Sequence, residues 1–209
     1  MDIEIKLEGI QETIKKLQAG SEAVKKATAF TINEAIKAGR SAAAKEVAKD
    51  YNIKQTTFRE RLKITLRATE NNLAGVLTAK GRGMPLSVFD VMQQGFYVRR
   101  SGPKGSKEKY LVRNKRRRGA VTSLVKKGAG RKVEEGRYGN KPFLATNQQG
   151  RLVVWERKGK ERFPVGEHWG PGLAKLIEKD VIQRKIKESI LKRFYEKILR
   201  NIAYFMGKT

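Results

Sequence analysis

The sequence predicts an α+β fold: an antiparallel β-sheet packed by two long helices, with a long basic loop extension between strands. Three observations predict it. Small and apolar residues recur at helical steps across 22–50 and again across 173–205. Between these stretches the period changes to two, over 63–80 and 143–156, as half-buried strands require. Separating the strand pairs is a tract, residues 99–132, with fourteen Lys/Arg against one acid, Glu108: a net +13 out of the chain's +26. That composition cannot pack as core and must face water or a polyanion.

Each element has a local reason. Ile3, Ile5 and Leu7 alternate as a short strand that Gly9 ends. Ile10, Ile14 and Leu17 share one face of a short helix over 10–18. Ser21 and Glu22 open a longer helix to about Asp50, along which Ala27, Thr31, Ala35, Ala38 and Ala42 form a face of small side chains. Such a face admits a close neighbour, either this chain's own core or another subunit. Tyr51-Asn52-Ile53 interrupts, and Thr57 with Glu60 reads as the capping box of a brief second helix. Ile64, Leu66 and Ala68 then alternate, Glu70-Asn71-Asn72 turns the chain, and Leu73 to Lys80 returns as the partner strand. Residues 84–100, around Pro85 and Gly95, suit short strands or one helical turn.

Order resumes after the basic tract. Phe143 to Thr146 and Arg151 to Glu156, joined at Asn147-Gln148-Gln149-Gly150, make the clearest hairpin. Gly166 to Gly172 reads as a loop holding His168 and Trp169. A long helix closes the chain, its stripe formed by Ile182, Ile186, Ile190, Phe194, Ile198 and Ile202, with Leu191, Tyr195 and Leu199 widening it. The expected organisation is one domain over 1–209, with 99–141 a basic Gly-rich insertion and 173–205 the C-terminal helix.

The absence of Cys removes disulfides, thiolate zinc sites and Cys nucleophiles and suits a reducing compartment. No apolar run is long enough to cross a membrane and no signal-like start is present, so a soluble chain made in a cytoplasm is expected.

The chemistry-bearing residues are few. His168 is the only histidine, so no His pair holds a metal. A nuclease built on Glu156 and His168 lacks a second acidic residue at suitable spacing. Glu134-Glu135 reads as a tether of the basic tract, and Glu178 with Asp180 as a solvated pair on a helix. Gly102-Pro103-Lys104-Gly105-Ser106-Lys107 misses the spacing of a phosphate-binding loop. Tyr97, Tyr110 and Tyr138 interleave with the cations and suit either base stacking or anchoring of the tract. No catalytic group, cofactor or metal site is expected. The candidate contacts to DNA or a protein partner are Arg99, Arg100, Lys104, Lys107, Lys109, Arg113, Lys115, Arg116, Arg117, Arg118, Lys126, Lys127, Arg131 and Lys132. Candidate residues for oligomer or core packing are Ala27, Thr31, Ala35, Ala38, Ala42, Ile186, Ile190, Phe194, Ile198 and Ile202.

Three segments in order resemble the minor tail protein Z family of tailed bacteriophages. Ala29-Phe30-Thr31-Ile32-Asn33-Glu34-Ala35 matches its Ala-rich helix, and Arg61-Leu62-Lys63 with Arg67-Ala68-Thr69 its following strand. Lys115 to Arg118 stands where the family has an Arg/Lys tract. Gly150-Arg151-Leu152-Val153-Val154, then Arg162-Phe163-Pro164-Val165 and a long helix, follow its closing pattern. The resemblance spans roughly residues 20–205. It implies a structural virion protein that completes the head-proximal end of the tail and forms part of the neck, as a ring, often of six subunits. The implied partners are further copies, other neck and tail proteins such as a terminator and a connector, and phage DNA in transit, with no membrane involved. The implied location is the virion tail, and the host cytoplasm during assembly. The family brings no catalytic residues, and the segment 99–140 is longer and richer in Gly than its pattern. The alternative is a non-specific nucleic-acid-binding protein acting in phage replication or packaging.

Overall fold

The computed structural model describes residues 3–6, 13, 17, 21–93, 96–100, 109–113 and 119–207. Helices and antiparallel strands are both abundant, giving the α+β class. The helix expected over 10–18 lies largely outside the described residues. The chain forms two compact units.

The first unit comprises 1–49, 54–82 and 172–209. Strand β1 (Ile3–Lys6) precedes helix α1 (Glu22–Asp50), whose termini carry Glu22 in the first turn and Lys49 in the last, the signs a helix macrodipole favours. Helix α2 (Gln55–Arg61) follows. The capping box expected at Thr57 is not formed: the N-cap is Lys54, with no side-chain cap, and Thr57 sits inside the helix. Strands β2 (Lys63–Leu66) and β3 (Val76–Ala79) pair with β1 in the order β1-β3-β2, all antiparallel, with an irregularity between Ile64 and Leu66. The returning strand is shorter than its alternation suggests, because residues 67–75 leave the ladder. Helices α3 (Leu173–Ile177) and α4 (Asp180–Met206) close the unit. The helical run expected from Leu173 is interrupted because Lys179 adopts extended backbone (φ −63°, ψ 126°).

The core of this unit lies around α1. Gly75 faces Ile36 and Ile32, and Gly39 faces Ile190 of α4 so closely that a Cβ would fall 2.4 Å from Ile190 Cγ1. Thr31 donates to the Ala27 carbonyl (2.7 Å) and accepts from Asn201 of α4 (2.9 Å), so a polar pair is satisfied inside the helix–helix contact.

The second unit comprises 50–53 and 83–171. Its elements are β4 (Gly83–Pro85), a 3₁₀ turn at Leu86–Val88, β5 (Asp90–Gln93), β6 (Phe96–Arg100), β7 (Lys109–Arg113), β8 (Val121–Leu124), β9 (Lys132–Val133), β10 (Phe143–Thr146), β11 (Leu152–Arg157), β12 (Val165–Glu167) and β13 (Trp169–Gly172). They form small sheets: β5-β8-β9, β6-β7, β10-β11-β12 and β13-β4. Gln93 ties two of them together, donating to the Gly119 carbonyl and accepting from the Leu144 amide, both at 2.9 Å. Gly150, at φ 71°, closes the β10–β11 turn, where Asn147 Oδ1 accepts from the Gln149 and Arg151 amides.

Candidate functional site

The basic tract is partly sheet. Strands β6 and β7 form an antiparallel hairpin whose register sets Arg100 opposite Lys109, Arg99 opposite Tyr110 and Phe96 opposite Arg113. Like charges directly opposed in a ladder destabilise it unless a counter-charge is near. Lys104, Lys107, Lys115, Arg116, Arg117 and Arg118 lie outside the described residues. Past β8, Lys126, Lys127, Arg131 and Lys132 are exposed. Arg131 is already committed to an ion pair with Asp90, whereas Lys132 enters β9 opposite Ser123. The stretch therefore divides into a hairpin with opposed cations and a second sheet with an exposed basic edge.

The packing residues named from the sequence fall in the first unit. Ala27, Thr31 and Ala35 are buried, and Ala38 and Ala42 half-buried. Ile186, Ile190, Phe194 and Ile198 are buried, and Ile202 half-buried. Tyr195 and Leu199, read as widening the stripe, are exposed at 54% and 77%.

The titratable cluster is in the second unit, and it corrects the loop reading of His168. Residues 165–172 form β12 and β13, and His168 between them is buried. Its Nδ1 lies 3.0 Å from Glu156 Oε2, and its Nε2 3.4 Å from Glu134 Oε2. Glu156 is 2% exposed, and its Oε1 accepts from the Tyr138 amide at 2.7 Å. Glu134 accepts from the Ser123 hydroxyl, so it is part of this interior network as well as a neighbour of the basic tract. The ring separates the two carboxylates, which prevents all three side chains from converging on one ion. Among the described residues no group of His, Asp and Glu is arranged to hold a metal. Gly136 seals the cluster: a Cβ there would fall 1.8 Å from the Asn140 carbonyl oxygen and 2.8 Å from Glu156 Oε1. His168 and Glu156 are buried and Glu134 half-buried, and the three side chains satisfy one another's hydrogen bonds.

A family model for prophage minor tail protein Z (GPZ) matches residues 7–208. The chain belongs to that family. It is thereby a bacteriophage tail protein, a structural component of the virion whose partners are other tail proteins. No curated protein matches the chain, and no solved structure does. Among the described residues no helix is long and apolar enough to cross a membrane.

Two ends of the first segment that carries the family resemblance meet in the structure. Asn33 of α1 donates to the Ala68 carbonyl (2.9 Å) and accepts from the Ala68 amide (3.0 Å). No local pattern points to that pairing, because the two positions lie 35 residues apart. Glu156 was more accessible to reasoning: it shares strand parity with Leu152 and Val154, and an acid at an inward position needs a partner.

Proposed function

We propose that this chain completes the head-proximal end of the tail and forms part of the neck, as a closed ring, of six copies by analogy with its family, around the channel that DNA crosses. The carrying observation is the β6–β7 hairpin. It opposes Arg100 to Lys109 and sits in a tract of net +13, an arrangement that a passing polyanion stabilises. The interior Glu134–His168–Glu156 trio supports a structural rather than an enzymatic role, since these groups satisfy one another. Negative-stain images and native mass measurement of the purified protein at virion-like ionic strength test the reading. Closed rings are expected, and a strictly monomeric particle contradicts it.

The same hairpin favours one other reading, a free protein that binds nucleic acid during replication or packaging. Replacing Arg99, Arg100, Lys109 and Arg113 with Ala separates the two. If DNA retention and its salt slope collapse while tails assemble normally, the second reading holds. If tails fail to join heads, the first does.

A further inference from the structure

The second unit carries a partly open sheet face, on which Val153 is buried while Phe143, Trp155, Arg157 and Val165 are half-buried. In the sheet β10-β11-β12, Leu144, Val154 and Glu156 point to the buried side. The opposite parity gives Phe143 opposite Trp155 and Arg157 opposite Val165, and these side chains line an open groove of about 850 Å³. Phe163, 65% exposed, and Arg162 form one wall, and the 147–149 turn forms the end. The Arg157 guanidinium lies 5.8 Å from the Phe143 ring centroid, and that of Arg162 5.6 Å from Phe163. Each cation is thus held at the edge of an apolar floor.

We propose that this groove docks an acidic segment of a partner protein, inserting an aromatic or aliphatic side chain between Trp155 and Phe163 while its carboxylates meet Arg157 and Arg162. Charge selects the occupant. The lining contains two arginines and no Asp or Glu, and the acid nearest by register, Glu167 opposite Trp155, lies outside it. Nucleic acid is the competing occupant, and the oligothymidylate probe below tests it directly. A flat apolar floor with a cationic rim is the anatomy of a protein docking site anchored by one buried side chain. The inference does not depend on ring formation or on the basic tract.

The test uses the full chain and three fluorescein-labelled probes read by anisotropy. One is the peptide Asp-Glu-Phe-Asp-Leu-Glu, one the same peptide with Ser in place of Phe and Leu, and one an oligothymidylate of equal charge. The apolar peptide is expected to bind about tenfold tighter than its Ser counterpart and to shift the Trp155 emission. That advantage is expected to disappear in the Arg162→Ser/Phe163→Ser variant, whose exposed positions leave the unfolding curve unchanged. Arg157→Ser provides a second variant from the other wall. Equal binding of the two peptides overturns the proposal, as does an advantage that survives both variants. Displacement of the peptide by oligothymidylate at lower concentration overturns it in favour of a nucleic-acid site.

Discussion

Asn33 closes a two-point clamp on Ala68: its side-chain amide donates to the carbonyl at 2.9 Å, and its oxygen accepts from the amide at 3.0 Å. The clamp does the work of one rung of a β-ladder, just past the end of β2 where the chain leaves the sheet. Asn33→Ala strips partners from both backbone groups of Ala68, itself only 5% exposed. A loss of about 2–4 kcal/mol is expected in denaturant unfolding, since each buried unpaired group costs about 1–3 kcal/mol. Asn33→Asp keeps the acceptor and loses the donor, so it falls between Ala and wild type. A change below about 0.5 kcal/mol for the Ala variant means the clamp contributes nothing.

Gly39 tests the approach of α1 to α4. An Ala there gains helix propensity of about 1 kcal/mol but drives its Cβ into Ile190, at 2.4 Å from Cγ1 and 2.7 Å from Cδ1. Net destabilisation of roughly 1–3 kcal/mol is expected. Combining Gly39→Ala with Ile190→Ala makes the loss smaller than the sum of the two, and strict additivity in that double-mutant cycle argues against the contact.

The buried pair inside the same helix contact behaves differently under single and double replacement. Thr31→Val leaves Asn201 without its acceptor, and Asn201→Leu leaves Thr31 with its bond to Ala27 alone. The Asn201 amide is the costlier group to orphan, so Thr31→Val is expected to lose about 1–3 kcal/mol. The combined Thr31→Val/Asn201→Leu protein should recover much of that loss in thermal unfolding.

Breaking the Glu156–His168 pair leaves a buried carboxyl or a buried ring nitrogen without its partner. Glu156→Ala is expected to destabilise the second unit by about 1–3 kcal/mol. Glu156→Gln retains an acceptor for the Tyr138 amide and should cost less. Hydrogen exchange resolved by segment checks this, with the loss of protection centred on 134–168.

Glu46 gives the stability a pH dependence. The hydrogen bond from Lys49 (2.7 Å) holds its carboxyl below the usual carboxylate range, with a further bond from Lys185 (3.1 Å), against an opposing desolvation. A folded-state value below the unfolded one means the contribution is present above the unfolded pKa and fades as pH falls through the folded one. Glu46→Gln should therefore cost under about 1 kcal/mol near neutrality, because both lysines are about half exposed. The difference from wild type should close on acidification.

The long periodic elements were legible in the sequence because burial on one face imposes their period: α1, α4 and the β10–β11 hairpin fall where the apolar spacing sets them. Strands β7, β8 and β9 were hidden because runs of Lys, Arg and Gly in the sequence surround them, so Tyr110-Leu111-Val112 and Val121 to Leu124 read as islands in a loop. Gly166, Gly170 and Pro171 likewise masked β12 and β13. The cap of α2 was misplaced because the Thr57–Glu60 pattern lies inside the helix, and no side chain caps its start. His168 was read from its sequence neighbours, whereas its environment comes from Glu134 and Glu156, distant in sequence. The groove at Phe143, Trp155 and Phe163 was not visible either, since only strand register brings those residues onto one face.

The most direct test of the account is an image of the head-proximal end of the intact tail at side-chain resolution. Density for this chain in a closed ring, with the 96–113 hairpin toward the DNA channel, is the expected result. A neck and tail end built without this chain, or one in which it forms no ring, contradicts the account.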